Sequence, residues 1–384
     1  MHPSTPQPLS ELSLPTCNRV GRRSAAQVPF KLNCKWIKTE GAEVKQFILT
    51  WNRNTNTGCW GEQDWKRVEL DLRHRVRACR SDEVAFRQIV REARSVLKMY
   101  STSFFAVTRF LPVAKRSMVE AIYAAVRYPD EIVDSFPLDS EARALRLATW
   151  RGDYERALKL TGVREMVAEG VPCFIAAFVQ VMRENQIPAD HYRAFLNAME
   201  IDISPRHFQS LDDLIDSYIY GSAIVVGYFL THVYGSTRPD CFDRALKAAR
   251  HLGIALQLTN FIRDVAEDQH RGRQYLPVDM LRMEGIEELN TSEPSQHSGI
   301  AKVIRGLGYA ARHHYHEATL DLHAFAPDSR TAIRACIDVY GELNARILNN
   351  SQEITRRESV PIHQKFRVLP TSKYWRLPLA YLGW

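Results

Sequence analysis

Hydrophobic positions follow a helical period along most of the chain. Apolar residues recur at intervals of three and four, and few stretches show the strict alternation that is typical of strands. The clearest helical stretches are 82–100, 115–128, 140–160, 240–268 and 330–348. Prolines, glycines and short polar runs separate them. The pattern predicts a single large all-α domain over residues 81–384, without an internal repeat.

Residues 1–80 differ from the rest of the chain in charge and in periodicity. They hold 14 Lys and Arg against 7 Asp and Glu, an excess that equals the formal net charge of the whole chain, +7. We predict a basic, irregular N-terminal extension over residues 1–80 that is dispensable for catalysis. It is either a poorly packed appendage or a basic patch that contacts an anionic membrane surface. Nucleic-acid binding is not expected, because the basic run 67–80 has no interleaved aromatic residues.

Composition also bears on the cellular compartment. The seven cysteines form no C-x-x-C pair, which favours free thiols in a reducing cytosol. No run approaches the roughly 18 apolar residues that indicate a membrane span, and the arginines near the N-terminus precede no apolar signal region. We therefore expect a cytoplasmic protein, with membrane association left open. The sequence indicates no oligomeric state.

Two aspartates spaced four residues apart are the first candidate for chemistry. In YPDEIVDSF, residues 128–136, Asp130 and Asp134 lie on one face of a helix. They are either a helix start with Pro129 at its first position or one half of a metal site. Pro129 predicts a kink or a new helix start between Arg127 and Asp130. The same spacing recurs in SLDDLIDSY, residues 210–218, which we interpret as a helix start after Ser210.

A second stripe of polar residues strengthens the metal interpretation. Gln257, Asn260, Asp264 and Asp268 follow one another at intervals of three, four and four, so they share one helical face. Two facing acidic helices can hold Mg²⁺ together with a diphosphate, because Mg²⁺ prefers carboxylate, water and phosphate oxygens. The next residues are Arg271, Gly272 and Arg273, a basic turn that either binds phosphate or ends the helix.

These motifs resemble those of the squalene/phytoene synthase family, enzymes that join two prenyl diphosphates head to head. DEIVD at 130–134 and QLTNFIRDVAEDQHRGRQYLP at 257–277 resemble the two signature motifs of that family. The resemblance runs from about residue 88 to about residue 350, and further matching segments are YSTSFF (100–105), AIYAAVR (121–127), MEIDIS (199–204) and YIYGSAIVVG (218–227). It implies an all-α domain of the isoprenoid synthase type with a central substrate cavity. Pro129 departs from the family pattern.

The resemblance also implies roles for individual residues. The magnesium and diphosphate positions are Asp130, Asp134, Asn260, Asp264 and Asp268. The substrate positions that the resemblance implies are Ser103, Tyr123, Arg127, Gln257 and Tyr275, and we count Tyr275 as catalytic beside the four aspartates. From their chemistry we add Arg271 and Arg273 of the basic turn and the aromatic residues Phe104 and Tyr218 to the substrate-binding candidates. Among the aromatic residues, Phe104 and Tyr218 are candidates to stabilise carbocations, although most aromatic residues in helical proteins belong to the core.

The implied reaction has two ionisations. Mg²⁺ assists the loss of one diphosphate, a cyclopropyl diphosphate forms, and this intermediate ionises in turn. Proton loss then gives phytoene or dehydrosqualene, whereas hydride from NADPH gives squalene. The motifs resemble the branch that ends by proton loss, so we expect phytoene from geranylgeranyl diphosphate without a nicotinamide cofactor. The sequence has no G-x-G-x-x-G turn, although squalene synthases bind NADPH without that motif. The alternatives are a squalene or dehydrosqualene synthase using farnesyl diphosphate, a terpene cyclase or chain-elongating synthase, and a non-enzymatic subunit.

The small residues of YIYGSAIVVG have two interpretations. Gly221, Ser222, Ala223 and Gly227 fall at helical spacing and leave one side of the helix without bulk. Either a neighbouring helix packs closely there or a prenyl tail occupies the space.

Overall fold

The structure is a computed structural model that describes residues 60–350, 354 and 357–381. This part of the chain contains α-helices, one π-helix, short 3₁₀ turns and no β-strand, so the all-α prediction is confirmed. The α-helices are α1 (Glu62–Arg77), α2 (Asp82–Tyr100), α3 (Thr102–Thr108), α4 (Val113–Asp134), α5 (Ser140–Ala157), α6 (Val163–Ala168), α7 (Cys173–Glu184), α8 (Ala189–Ile203), α9 (Leu211–Leu214), α10 (Val225–Tyr234), α11 (Phe242–His270), α12 (Val278–Met283), α13 (His297–Leu320), α14 (Pro327–Asn349), α15 (Ile362–Val368) and α16 (Lys373–Tyr381). The π-helix, Ile215–Ile224, joins α9 to α10.

Side-chain caps fix where several helices begin. The Ser81 hydroxyl accepts a hydrogen bond from the amide of Val84 at the start of α2, and Asp139 accepts one from Ala142 at the start of α5. Ser210 caps α9 by accepting from the amide of Asp213. Such caps satisfy amides that have no partner within the helix. The predicted helix start after Ser210 is therefore confirmed.

Helix α1 belongs to the folded core, which corrects the predicted boundary at residue 80. Trp65, Leu72 and Val76 are at most 2% exposed and lie in the main hydrophobic cluster. The Trp65 indole Nε1 donates to the Tyr100 hydroxyl at 3.1 Å. Contacts divide the chain between residues 58 and 59 rather than near residue 80. The prediction of an irregular extension is wrong for residues 62–77. The many charged residues on the exposed side of α1 make its apolar stripe difficult to recognise in the sequence. Residues 1–59 lie outside the described part.

Helix α4 runs without a new start through Pro129. Pro129 lies inside the helix and is buried. It has no amide to bond the carbonyl of Ala125, four residues earlier. The hydroxyl of Tyr192 on α8 donates to that carbonyl at 2.7 Å and accepts from the Trp150 indole at 2.8 Å. Of the predicted kink or new helix start, the new start is wrong, because α4 continues through Pro129 and a neighbouring helix donates to the carbonyl that the proline leaves free. The kink stays a prediction.

This arrangement predicts that Pro129 and Tyr192 are energetically coupled. Tyr192→Phe should lower the free energy of unfolding by about 1–3 kcal/mol, because it leaves the buried Ala125 carbonyl without a donor. In a Pro129→Ala background the new amide bonds that carbonyl, so the same substitution should cost less. Urea unfolding of the four proteins measures the coupling, which we expect to be about 1 kcal/mol.

Tyr154 provides the matched control for this cycle. Its hydroxyl is also buried and donates to a backbone carbonyl, that of Ala189, at 3.0 Å. Tyr154→Phe should cost the same in both backgrounds, because Pro129 does not free its acceptor. Equal costs for Tyr192→Phe in the two backgrounds would contradict the coupling.

The small residues around the π-helix allow helices to approach closely. A Cβ atom at Gly221 would lie 2.5 Å from the carbonyl oxygen of Ala194 on α8, and one at Gly227 would lie 3.1 Å from that of Ala249 on α11. The tight-packing interpretation is confirmed at Gly221 and Gly227. Within the described residues, the stretch Leu211–Tyr234 is long and apolar enough to cross a membrane, but half of it is buried in the fold, as in a core helix.

Candidate active site

The two acidic stripes occupy the C-terminal part of α4 and the middle and end of α11. Asp130 and Asp134 lie in the last turns of α4, while Asp264 and Asp268 lie in the last turns of α11. The turn after α11 connects the stripes, because Arg273 Nη1 donates to Asp134 Oδ1 at 2.5 Å and Arg271 lies 3.5 Å from the same carboxylate. The sequence prediction that these motifs lie close together agrees with this contact.

Arg273 is bound to the protein itself. It is 6% exposed and also donates to the carbonyl oxygens of Val133 at 3.1 Å and Asp202 at 3.4 Å. Gly272 has a φ of 74°, which favours glycine and lets the chain turn back towards α4. Arg273 therefore joins the two motifs in this structure, whereas the more exposed Arg271 is bound to Glu267 and Asp134.

Asp130 lies in a partly buried charge cluster on α4. Arg127 Nη1 donates to Asp130 at 2.5 Å, and its other terminal nitrogen pairs with the buried carboxylate of Glu131. The Arg127 guanidinium also lies 4.4 Å from the ring centroid of Tyr100. Burial and the neighbouring carboxylates of Asp134 and Glu131 raise the pKa of Asp130 to about 7. The predicted substrate residue Arg127 therefore holds Asp130 in place.

Asp264 marks an irregular point in α11. Its φ of −108° and ψ of 15° depart from helical values. Arg263 Nε donates to Asp264 at 2.8 Å, and Arg357, beyond α14, donates to it at 2.8 Å as well. Arg357 carried no sequence signal, since it stands 93 residues from its partner.

Asp268 is the aspartate of the two stripes without an ion pair among the described residues. Burial and the neighbouring carboxylate of Asp264 raise the pKa of Asp268 to about 7, and Asp134 adds to this rise. The carboxylates of α4 and α11 are thus close enough to repel one another. Asp268 lines a small pocket together with Phe261, Arg273 and Tyr275. The larger central cavity stays a prediction.

Asp202 is a buried acid that sequence reasoning did not single out. It is 6% exposed and accepts hydrogen bonds from the hydroxyls of Tyr218 and Tyr275, each at 2.7 Å. Burial raises the pKa of Asp202 to about 6, although Arg273 and both hydroxyls lower it. It lies within MEIDIS, one of the matching segments, but its partners are 16 and 73 residues away in sequence.

Aromatic residues pack behind the second stripe. Phe261 stacks on Tyr275 with ring centroids 4.2 Å apart, and Tyr218 lies 5.1 Å from Tyr275. Burial raises the pKa of both tyrosines well above the usual value, so their hydroxyls stay protonated. These contacts bring the predicted residues Tyr218 and Tyr275 together.

The remaining predicted residues lie on three helices. Ser103 and Phe104 are half-buried on α3, where the Phe104 ring is 6.0 Å from that of Tyr123 on α4. Gln257 and Asn260 are half-buried on α11, on the turns that precede Asp264. Burial raises the pKa of Tyr123, and the carboxylates of Asp130 and Glu131 add to this rise, so Tyr123 lies beside the first acidic stripe. The roles of all these side chains stay predictions.

Comparison with known proteins identifies the family. The model of the squalene/phytoene synthase family matches residues 97–366, which is more than half of the chain. The chain belongs to the squalene/phytoene synthase family. The predicted family is confirmed, and with it the predicted prenyltransferase activity class.

Relatives in this family include two phytoene synthases. The 15-cis-phytoene synthase of Pantoea ananas is 28% identical over 286 residues, covering 73% of this chain and 90% of that protein. The 15-cis-phytoene synthase of Synechocystis sp. is 30% identical over 295 residues, covering 73% of this chain and 82% of that protein.

Solved structures show the same fold. A crystal structure of a dehydrosqualene synthase with ligand matches with a TM-score of 0.62 and 22% identity, covering 79% of this chain and 99% of that one. The squalene synthase HpnC of Alicyclobacillus acidocaldarius matches with a TM-score of 0.58 and 19% identity, covering 70% and 96%. The predicted isoprenoid synthase fold is confirmed.

The family uses a divalent metal with its prenyl diphosphate substrates, and the carboxylates of the site can be compared with the ligands that such an ion requires. In residues 60–350, 354 and 357–381, no three His, Cys, Asp or Glu side chains converge as ligands of one ion. Instead, partly buried carboxylates are distributed along α4 and α11, which the turn after α11 connects through Arg273. This arrangement fits Mg²⁺, which is usually held by one or two carboxylates and completes its coordination with water and substrate phosphate.

Proposed function

We propose that this squalene/phytoene synthase family member condenses two geranylgeranyl diphosphates head to head, with Mg²⁺, to give phytoene. The observation that carries the proposal is the contact of Arg273 on the second motif with Asp134 on the first, which holds two acidic stripes together. The similarity to phytoene synthases supports geranylgeranyl diphosphate as the substrate. Farnesyl diphosphate is the second candidate, because solved structures of dehydrosqualene and squalene synthases share the fold.

The residues that we assign to the metal and diphosphate are Asp130, Asp134, Asn260, Asp264 and Asp268. Bound Mg²⁺ would neutralise the leaving diphosphate as a Lewis acid. The arginines have a positioning role: Arg127 holds Asp130, and Arg263 holds Asp264. Arg271 is the exposed cation of the turn after α11, and we assign it to the diphosphate.

The aromatic cluster provides a surface for carbocations. The hydroxyls of Tyr218 and Tyr275 both donate to Asp202, so their rings are fixed in orientation. Fixed aromatic faces can stabilise a passing cation without further ordering. We assign Tyr218, Tyr275 and Phe104 to this role, with Ser103, Tyr123 and Gln257 as contacts of the prenyl substrates.

Product analysis tests the substrate and the last step. The protein is incubated with Mg²⁺ and either geranylgeranyl or farnesyl diphosphate, with and without NADPH, and hydrocarbons are identified by mass. We expect a C40 product from geranylgeranyl diphosphate that is independent of NADPH and absent after EDTA treatment. A C30 product that requires NADPH would assign the protein to squalene synthesis, and one formed without NADPH to dehydrosqualene synthesis.

We propose a cytoplasmic location for this enzyme. The four cysteines within the described residues, Cys79, Cys173, Cys241 and Cys336, are free thiols, as in a reducing compartment. The prenyl tails of the substrates and the hydrocarbon product are strongly apolar, which favours work close to a membrane surface.

A further inference from the structure

Two histidine rings meet between α11 and α13. His251 Nδ1 on α11 lies 2.8 Å from His314 Nδ1 on α13, and the ring centroids are 5.1 Å apart. Both side chains are half-buried. Two ring nitrogens at this distance share one proton, so one of them donates and the other accepts through its lone pair. We call His251 and His314 the α11–α13 histidine pair.

The histidine pair lies on the side of α11 that points away from the second acidic stripe. His251 and Asn260 are nine residues apart on this helix, which is about 2.5 turns, so their side chains leave α11 on opposite sides. Asp264 lies about 20 Å further along the helix axis than His251. The pair is therefore separate from the residues that we assign to Mg²⁺ and diphosphate.

Both imidazoles of the pair are neutral near neutral pH. Burial and the charges of His251, His313 and Arg250 lower the pKa of His314 to about 4. Burial also lowers the pKa of His251, although the carboxylate of Glu317 opposes this. A neutral imidazole keeps a nitrogen lone pair that can bind a metal ion, whereas an imidazolium has none.

Charged groups of both signs surround the pair. Arg250 is paired with Asp216 of the π-helix at 3.5 Å, and Glu317 lies three residues after His314 on the same side of α13. These two acids equal the nearby cations in number, so a divalent ion at the pair does not meet an excess of positive charge. The groups that act on the pair are Lys247 and Arg250 on α11, and His313 and Glu317 on α13.

The spacing of the two nitrogens suits a divalent transition metal. Zn²⁺, Ni²⁺ and Cu²⁺ bind imidazole, whereas Mg²⁺ prefers oxygen ligands. Two nitrogens that each lie about 2.0–2.1 Å from one ion are about 2.9 Å apart at a right angle and about 3.3 Å apart at the tetrahedral angle. The two rings, whose nitrogens are 2.8 Å apart, would have to separate by only a few tenths of an ångström.

We propose that the α11–α13 histidine pair binds one divalent transition-metal ion of the Zn²⁺, Ni²⁺ and Cu²⁺ class through its two Nδ1 atoms. Water completes the coordination, because no third His, Cys, Asp or Glu ligand converges on the pair in the part of the chain that the structure describes. The ion ties α11 to α13 and stabilises the fold, since a ligand that binds only the folded chain shifts the unfolding equilibrium. This site is additional to the Mg²⁺ of the reaction.

Zinc titration of the full chain tests the site. Calorimetry is done near neutral pH with excess Mg²⁺, which occupies the acidic stripes, and after alkylation of free thiols, which also bind Zn²⁺. We expect a site with a stoichiometry of one whose affinity falls about tenfold or more in His251→Gln and in His314→Gln. Zn²⁺ should raise the Tm of the unchanged protein and raise that of the double variant much less.

His316 provides the matched control on the same helix. It lies two residues after His314, but it is exposed and leaves α13 on another side. His316→Gln should bind Zn²⁺ as the unchanged protein does. Equal zinc affinity in His251→Gln, His314→Gln and the unchanged protein would overturn the proposal and assign zinc binding to other residues. Absence of zinc binding in the unchanged protein would also overturn it and leave the pair as a hydrogen bond only.

Chemical labelling of the unchanged protein tests the site without any substitution. Diethyl pyrocarbonate modifies neutral imidazoles at a nitrogen lone pair, and metal coordination removes that lone pair. Zn²⁺ should therefore slow the labelling of His251 and His314 several-fold, as measured by mass spectrometry of peptides, and leave that of His316 unchanged. Equal labelling of the pair with and without Zn²⁺ would contradict the proposal, whether or not the variants fold.

Discussion

Asp134→Asn and Asp264→Asn should each lower kcat by about three orders of magnitude or more while leaving the helical content unchanged. Each substitution removes a charge assigned to the metal and diphosphate and keeps the side-chain volume, so the loss concerns the reaction rather than the packing. Turnover at saturating prenyl diphosphate and Mg²⁺ measures the effect, and circular dichroism checks the fold.

The chain contains its own control for this experiment. Asp212 and Asp216 have the same four-residue spacing, but both are exposed, Asp212 in α9 and Asp216 in the π-helix that follows it. Asp212→Asn and Asp216→Asn should leave kcat nearly unchanged. Rates close to normal in both the Asp134 and Asp264 variants would remove the metal assignment.

Asp264→Asn is the better test of metal binding, because Asp134 also forms an ion pair with Arg273. Loss of this ion pair could separate the two motifs even if no metal were involved. A raised Mg²⁺ concentration for half-maximal rate in a residually active Asp264→Asn protein would support a role in metal binding. An unchanged Mg²⁺ requirement in that variant would favour a role for Asp264 in positioning alone.

Trp65→Ala should lower the free energy of unfolding by about 3–5 kcal/mol, the range for truncating a large buried aromatic residue. Trp65 is 2% exposed, and its ring contacts those of Trp60, Tyr100, Tyr128 and Phe174. The substitution also removes the donor to the Tyr100 hydroxyl. Urea unfolding monitored by circular dichroism measures the change.

Leu70 is the control on the same helix. It is 68% exposed, so Leu70→Ala should change the stability by less than about 0.5 kcal/mol. Similar effects of the two substitutions would show that α1 is not part of the core. Residues 62–77 are therefore not expected to be dispensable. A chain that begins near Asp82 should be severely destabilised, because it lacks all of α1.

Local features of the fold were predictable from the sequence. The spacing of apolar residues within α2, α4, α11 and α14 shows which face of each helix is turned towards the core. That spacing is contained in each stretch of sequence. The two acidic stripes follow from spacing alone, since residues four apart in a helix are neighbours. The motifs then indicated the family, which the match to residues 97–366 confirmed.

Contacts between distant segments were not predictable in this way. The period of a helix shows which face is buried but not which helix buries it, so Asp202 could not be connected to Tyr218 and Tyr275. Arg357 and Asp264 are likewise joined only because α14 brings residue 357 back to α11.

The sequence by itself determined the all-α class, the acidic faces and the family, because these depend on residues within one helix or one motif. Only the tertiary structure decided that α1 belongs to the core, that Tyr192 satisfies the carbonyl freed by Pro129, and that Arg273 joins the two motifs. Each of these depends on two segments meeting after folding, and the Asp134–Arg273 pair is separated by 139 residues. The period of a helix shows that a face is buried, but the partner that buries it and the long-range hydrogen bonds leave no period in the sequence.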